Sequence, residues 1–194
     1  MRRTILSLTA ALFVITATLL VAQQDKSKRP SPPGTAEVTL GGKKVAIDYS
    51  RPKTADPKTK QPRKVMGGIV PYDKVWRTGA NEATSLKTEV DLMLGSLHVP
   101  AGSYTLYSIP DEKSWTLIIN KQTGQWGTNY DQAQDLGRTE MQVAAPPATV
   151  DQFTISFEKK GEDKAVLMLD WENTRAWVEV QAHGAVVGGV GLRK

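Results

Sequence analysis

The chain contains no cysteine. That absence excludes a disulfide framework, a thiolate metal site, a cysteine nucleophile and lipid attachment through a cysteine, so stability must come from packing. Histidine is scarce as well: His98 and His183 are the two present, far apart in sequence, and neither forms a metal-spacing motif. No G-x-S-x-G elbow occurs, and Ser103 in AGSYT stands at a strand start in an ordinary turn context. The glycine-bearing tail GAVVGGVGLRK holds no phosphate-binding loop motif and reads as a frayed terminus. A helical period is missing too, since no segment of ordinary helix length keeps apolar residues at 3.6-residue spacing.

What is present begins with an export pattern. Arg2 and Arg3 precede a stretch from Ile5 to Val21 without a charged residue, and Ala22 is small, so residues 1–22 read as a secretory signal. Leu20 makes the cleavage site untidy and keeps an uncleaved membrane anchor as the alternative. Residues 23–36, QQDKSKRPSPPGTA, are polar and proline-bearing, and are expected to form a disordered or extended tether. Removing the signal takes two arginines and no acids, which lowers the net charge from +5 to +3. That excess favours solubility and weak attraction to anionic envelope polymers, and falls short of a nucleic-acid footprint.

From Glu37 the period is two. Val45, Ile47 and Tyr49 share one face, as do Phe153, Ile155 and Phe157, and Ala176, Val178 and Val180. Thr84 to Leu94 reads as one half-buried strand with Leu86, Val90, Leu92 and Leu94 on its apolar face. Residues 103–109, 114–120, 138–144 and 164–171 are apolar on both faces or nearly so, which suits central strands. Gly41-Gly42, residues 100–102 and residues 109–113 carry turn chemistry. The expectation is an all-β domain over residues 37–181: an antiparallel β-sandwich of about eight to ten strands, jelly-roll or immunoglobulin-like, followed by a flexible tail over 182–194.

With the strands placed, several irregular motifs stand out: IVPYDKVWRTGANEAT from Ile69, PAGSYTLYSIP from Pro100, WTLIINK from Trp115, QWG at Gln125, Tyr130-Asp131, and WENTR from Trp171. In these the chain resembles the domain of unknown function 2911 family of exported bacterial proteins, over roughly Val38 to Val180. The resemblance implies a β-sandwich and export, and no assigned activity. Against the family pattern, the segment between Arg51-Pro52 and Val65 is longer and more basic, and the tail after Val180 is extra.

The candidate site is WRTGANEAT, Trp76 to Thr84, which holds an aromatic, a cation, an amide and a carboxylate within nine residues. Arg77 and Glu82 can form a bidentate pair that fixes the loop, or can separate to hold a ligand. Trp126 and Tyr130 can stack on a sugar or planar ligand, or plug the end of the sandwich. Asp131 and Asp135 lack the alternating ligands of a calcium loop, so no metal and no cofactor is implied. The leading reading is a non-enzymatic protein binding a small polar ligand or glycan through Trp76, Arg77, Asn81, Glu82, Trp126 and Tyr130, with Trp76 and Trp126 supplying stacking area. One alternative is a hydrolase with Glu82 and Asp135 as acid and base, His98 being a further weak candidate base. Another is a purely structural envelope module. The basic run Arg51, Lys53, Lys58, Lys60, Arg63 and Lys64 reads as a solvated loop, with weak contact to an anionic envelope polymer as the minority view.

Overall fold

Alternating apolar residues build eleven strands in the computed structural model, which describes residues 25–183. The expected signal over residues 1–22, Gln23, Gln24 and most of the tail lie outside the described residues. The strands are β1 (Pro33–Leu40), β2 (Lys43–Ser50), β3 (Thr84–Thr88), β4 (Leu92–Leu94), β5 (Leu97–Val99), β6 (Gly102–Ile109), β7 (Ser114–Asn120), β8 (Asp135–Ala144), β9 (Val150–Lys159), β10 (Lys164–Glu172) and β11 (Thr174–Ala182). All pair antiparallel in one sheet with the order β1-β2-β3-β6-β7-β8-β11-β10-β9, and β4 adds to β11 with β5 beyond it. The all-β antiparallel expectation therefore holds. Among the described residues no helix is long and apolar enough to cross a membrane.

The sheet curls until β1 and β9 lie beside one another. Tyr49 of β2 fastens this approach, since its hydroxyl accepts from the Ile155 amide at 2.9 Å and donates to the Ile155 carbonyl at 3.3 Å. Lys53 and Gln152 add an isolated bridge, and the Phe153 amide donates to the Pro52 carbonyl at 2.9 Å. Curling encloses one apolar core.

That core follows the predicted faces. Val45 and Ile47, Phe153 and Ile155, and Ala176, Val178 and Val180 are all buried. β6 and β7 lie at the centre of the path, and Trp115, Leu117, Ile118 and Ile119 of β7 are buried on both faces. Each fully buried large apolar side chain contributes about 1.5–3 kcal/mol relative to exposure. An aromatic cluster fills one end: Trp76 stands edge-on to Trp115 and Phe153, with ring centroids 6.0 and 5.1 Å away, and stacks on Trp171 at 6.2 Å.

Three elements depart from expectation. Thr84–Leu94 is two strands, because the Thr88 hydroxyl donates to the Val90 carbonyl at 2.6 Å and accepts from its amide, a side-chain turn that diverts β4 to β11. This split and the short β5 raise the count above ten. β8 lies between β7 and β11 as an inner strand but is buried on one face, not both: Thr139 and Met141 are buried while Arg138, Glu140 and Gln142 are exposed. The segment expected as a tether is built into the fold from Asp25, with a 3-10 turn at Lys26–Lys28 and β1 already begun at Pro33.

The connection from Arg51 to Ala83 positions the site. It carries no regular strand, is pinned by the fully buried Val65 and Val70, and ends by laying Trp76 beside β6. There the Trp76 amide donates to the Ser108 carbonyl at 2.7 Å, and the Ser108 amide returns a bond to the Trp76 carbonyl at 3.0 Å.

Candidate functional site

Beyond Trp76 the chain cannot continue as a strand, because its polar groups are claimed crosswise. The buried Thr78 hydroxyl lies 2.9 Å from that of Ser108, and the Thr84 hydroxyl donates to the Thr78 carbonyl at 2.7 Å. The resulting loop has left-handed φ at Thr78 (51°) and Asn81 (58°), with Gly79 at 152°. A side chain at Gly79 would stand 3.0 Å from the Thr84 hydroxyl and 3.1 Å from the Ser50 carbonyl, so glycine is required by space as well as by φ.

The expected Arg77–Glu82 pair does not form. Both oxygens of Glu82 instead accept from Arg29, at 2.8 and 3.0 Å, and Lys26 lies 3.1 Å from one of them. Hydrogen bonding from Arg29, with help from the Glu82 amide and Lys26 against a small burial cost, holds the Glu82 carboxyl down at about 2. Asn81 joins the same task, its amide nitrogen donating to the Ser31 carbonyl at 3.1 Å. Asn81 and Glu82 thus strap the N-terminal segment across the end of the molecule.

Among the described residues Arg77 has no hydrogen-bond or ion-pair partner. Of the six arginines among the described residues, Arg29, Arg51, Arg63, Arg138 and Arg175 each donate hydrogen bonds to protein oxygens, and Arg77 donates none. It is half-buried and forms a wall common to two cavities. The first, about 310 Å³, has Trp76 and Trp171 in its lining with Lys53, Arg63 and the N-terminal Pro30 and Ser31, and no carboxylate. The second, about 400 Å³, is bordered by Val75, Tyr107, Thr128 and Tyr130. Such volumes suit small-molecule ligands.

The other predicted residues distribute as follows. Trp76 is 7% exposed and belongs to the aromatic core, so the expected stacking face is given to Trp115, Phe153 and Trp171. Trp126, 47% exposed, offers an open face and bridges Glu82 through the main chain. The Tyr130 hydroxyl donates to Asp135 at 2.8 Å and accepts from Arg138 at 3.0 Å, and burial followed by the Asp135 bond pushes the phenol up to about 12. Asp135 also accepts from Asn120 at 2.9 Å and from Arg138 at 2.8 and 3.1 Å. Glu82 and Asp135 are therefore held in separate networks, and neither lines the two cavities that Arg77 borders.

His98 meets neither Glu82 nor Asp135 but Asp91, at 3.2 Å, and the fold brings His183 to it with ring centroids 5.3 Å apart. The β4–β5 hairpin against the end of β11 makes this pairing, which sequence separation concealed. No group of three potential ligands among the described residues is arranged for a metal. Within the basic run, Arg51 bonds the Phe153 carbonyl and Thr154, Arg63 bonds the Lys53 and Thr54 carbonyls, and Lys60 reaches the Pro57 carbonyl at 2.6 Å. Lys53, Lys58 and Lys64 are exposed. Sequence reading missed Lys53, Arg63 and Trp171 as cavity residues and the N-terminal segment as a wall; the Asn81 and Glu82 side chains were the available signal that something docks there.

No curated protein and no solved structure matches the chain. Residues 31–180, running from the strapped segment through the Arg77 loop to the last strand, match the family described as Protein of unknown function (DUF2911), and the chain belongs to that family.

Proposed function

We propose that this protein is an exported, non-enzymatic β-sandwich that binds a small polar ligand at the end of the sheet built by the Arg77 loop. The observation that carries the reading is the half-buried Arg77 guanidinium, which has no protein partner among the described residues and borders two ligand-sized cavities. A fork of donors held in a cleft without an acceptor is poised for an outside one. Tyr130 and the exposed Trp126 flank the same end and suit a flat face of the ligand, including a sugar ring. Export to the periplasm or the cell exterior rests on the signal pattern of residues 1–22. The sandwich description is supported by aromatic contacts between β7 and the β9–β10 pair through Trp76.

The hydrolase alternative draws less support, since Glu82 and Asp135 are each fully engaged and a catalytic pair must face one substrate. Contact of Lys53, Lys58 and Lys64 with an anionic envelope polymer is compatible with the binding reading. The test is a thermal-shift panel of small carboxylates, phosphates, sugars and neutral polyols on wild type and Arg77→Met. A compound that stabilises wild type and leaves Arg77→Met unmoved supports the reading; equal stabilisation of both places binding elsewhere.

A further inference from the structure

The main-chain amides of the Arg77 loop are as unclaimed as its guanidinium. Among the described residues the N–H groups of Arg77, Thr78, Gly79, Ala80 and Asn81 donate no hydrogen bond, while the flanking Trp76 and Ala83 amides donate to Ser108 and Gln125 carbonyls. Thr78 and Gly79 are buried. For the two buried residues, Thr78 and Gly79, this is unusual, because buried amides nearly always find acceptors; Arg77, Ala80 and Asn81 are half-buried. The left-handed φ values at Thr78 and Asn81, with Gly79 also positive, break the strand-like alternation that would send successive amides to opposite sides. Such turns gather amides into anion-binding concavities.

Gly79 and Ala80 line the same 310 Å³ cavity as the side chains of Arg77, Lys53 and Arg63. Every charged residue of that lining is basic, and its accessible apolar part is led by the 41% exposed Ile69 with Pro30, Pro52 and Pro57, over a floor of the buried Trp76 and Trp171. The Trp171 indole is oriented by its N–H donating to the Thr54 hydroxyl at 3.2 Å.

Resting on the reading that the Arg77 end binds a ligand, we infer that the ligand is a small organic oxyanion: a carboxylate or phosphate head group held by Arg77, Lys53 and the Gly79 and Ala80 amides, with an apolar body against Ile69 and the proline-lined wall. Carboxylate and phosphate share the required chemistry, namely acceptor oxygens that take a planar guanidinium fork and converging amides together. A neutral sugar would leave three cations facing it without compensation.

The test follows the loop's own amides by ¹H–¹⁵N spectra of the protein purified as the cell processes it, at low chloride. Benzoate, phenyl phosphate, inorganic phosphate, benzamide and maltose are titrated into wild type, Arg77→Met and Lys53→Met. The expected result is a saturable shift of the Gly79 and Ala80 amides with benzoate or phenyl phosphate, weakened roughly tenfold or more by Arg77→Met and less by Lys53→Met. Benzamide should leave those amides in place. The tighter of benzoate and phenyl phosphate identifies the head group. Equal response to benzamide or maltose would overturn the oxyanion assignment while leaving the Arg77-end binding reading intact. Anion shifts that survive both substitutions, or no shift of Gly79 and Ala80 with any anion, would overturn the inference outright. The unaltered spectrum of β6 and β7 reports that each variant has folded.

Discussion

Arg29 holds both carboxylate oxygens of Glu82, at 2.8 and 3.0 Å, across 53 residues of chain. This pair closes the N-terminal segment over the end of the sheet and takes Glu82 out of the role that its position near Arg77 suggests. Arg77 is left bordering two cavities, and the two charges of one short motif serve different ends: Glu82 fastens the N-terminal segment, and Arg77 lines the cavities.

Arg29→Met and Glu82→Gln should each lower unfolding free energy by about 1 kcal/mol, since bidentate geometry places the pair at the upper end of the range for solvent-screened bridges. The double variant should lose much less than the sum, as read by urea denaturation. Trypsin should also cut faster after Lys26 and Lys28 in either variant, because the strap is then held mainly by Asn81.

Acid should loosen the same contact. The Glu82 carboxyl is depressed from 4.5 to about 2. A depressed carboxylate contributes stability that is present above its unfolded pKa and lost as pH falls through its folded one. Wild type should therefore lose part of its stability between about pH 4.5 and 2 through this group, and Glu82→Gln should show a flatter profile over that window. Denaturation midpoints at pH 7, 4 and 2.5 would measure the difference.

Tryptophans of the family motifs should divide by burial. Trp171→Ala should cost about 3–5 kcal/mol through loss of a packed core ring, whereas Trp126→Ala should cost under about 1 kcal/mol. Iodide should quench Trp126 in the native protein and spare Trp115 and Trp171, which are 47%, 1% and 2% exposed respectively.

Much of this architecture was legible as period-two patterning, because a curled sheet with one dry face writes its burial directly into alternation. Val45 and Ile47, Phe153 and Ile155, and Ala176 to Val180 needed no tertiary knowledge. Thr84–Leu94 misled because the break depends on a Thr88 hydroxyl turning onto Val90, a polar event invisible to apolar spacing. At the site, composition identified the loop but not its partners. Arg77 and Glu82 are close in sequence, yet a segment more than forty residues earlier supplies the competing guanidinium of Arg29. Trp76 looked like a ligand platform because an aromatic beside an arginine carries no sign of burial; only the convergence of Trp115, Phe153 and Trp171 reveals it as core. The unclaimed amides of residues 77–81 had no side-chain signature beyond the glycine at 79.

The most direct test of the central claim is the unfolding free energy of ligand-free Arg77→Met against wild type. An arginine kept for a ligand should be dispensable to the fold, so the variant should match wild type within about 0.5 kcal/mol or exceed it. A loss of about 2 kcal/mol or more would make Arg77 a structural residue and contradict its assignment to binding.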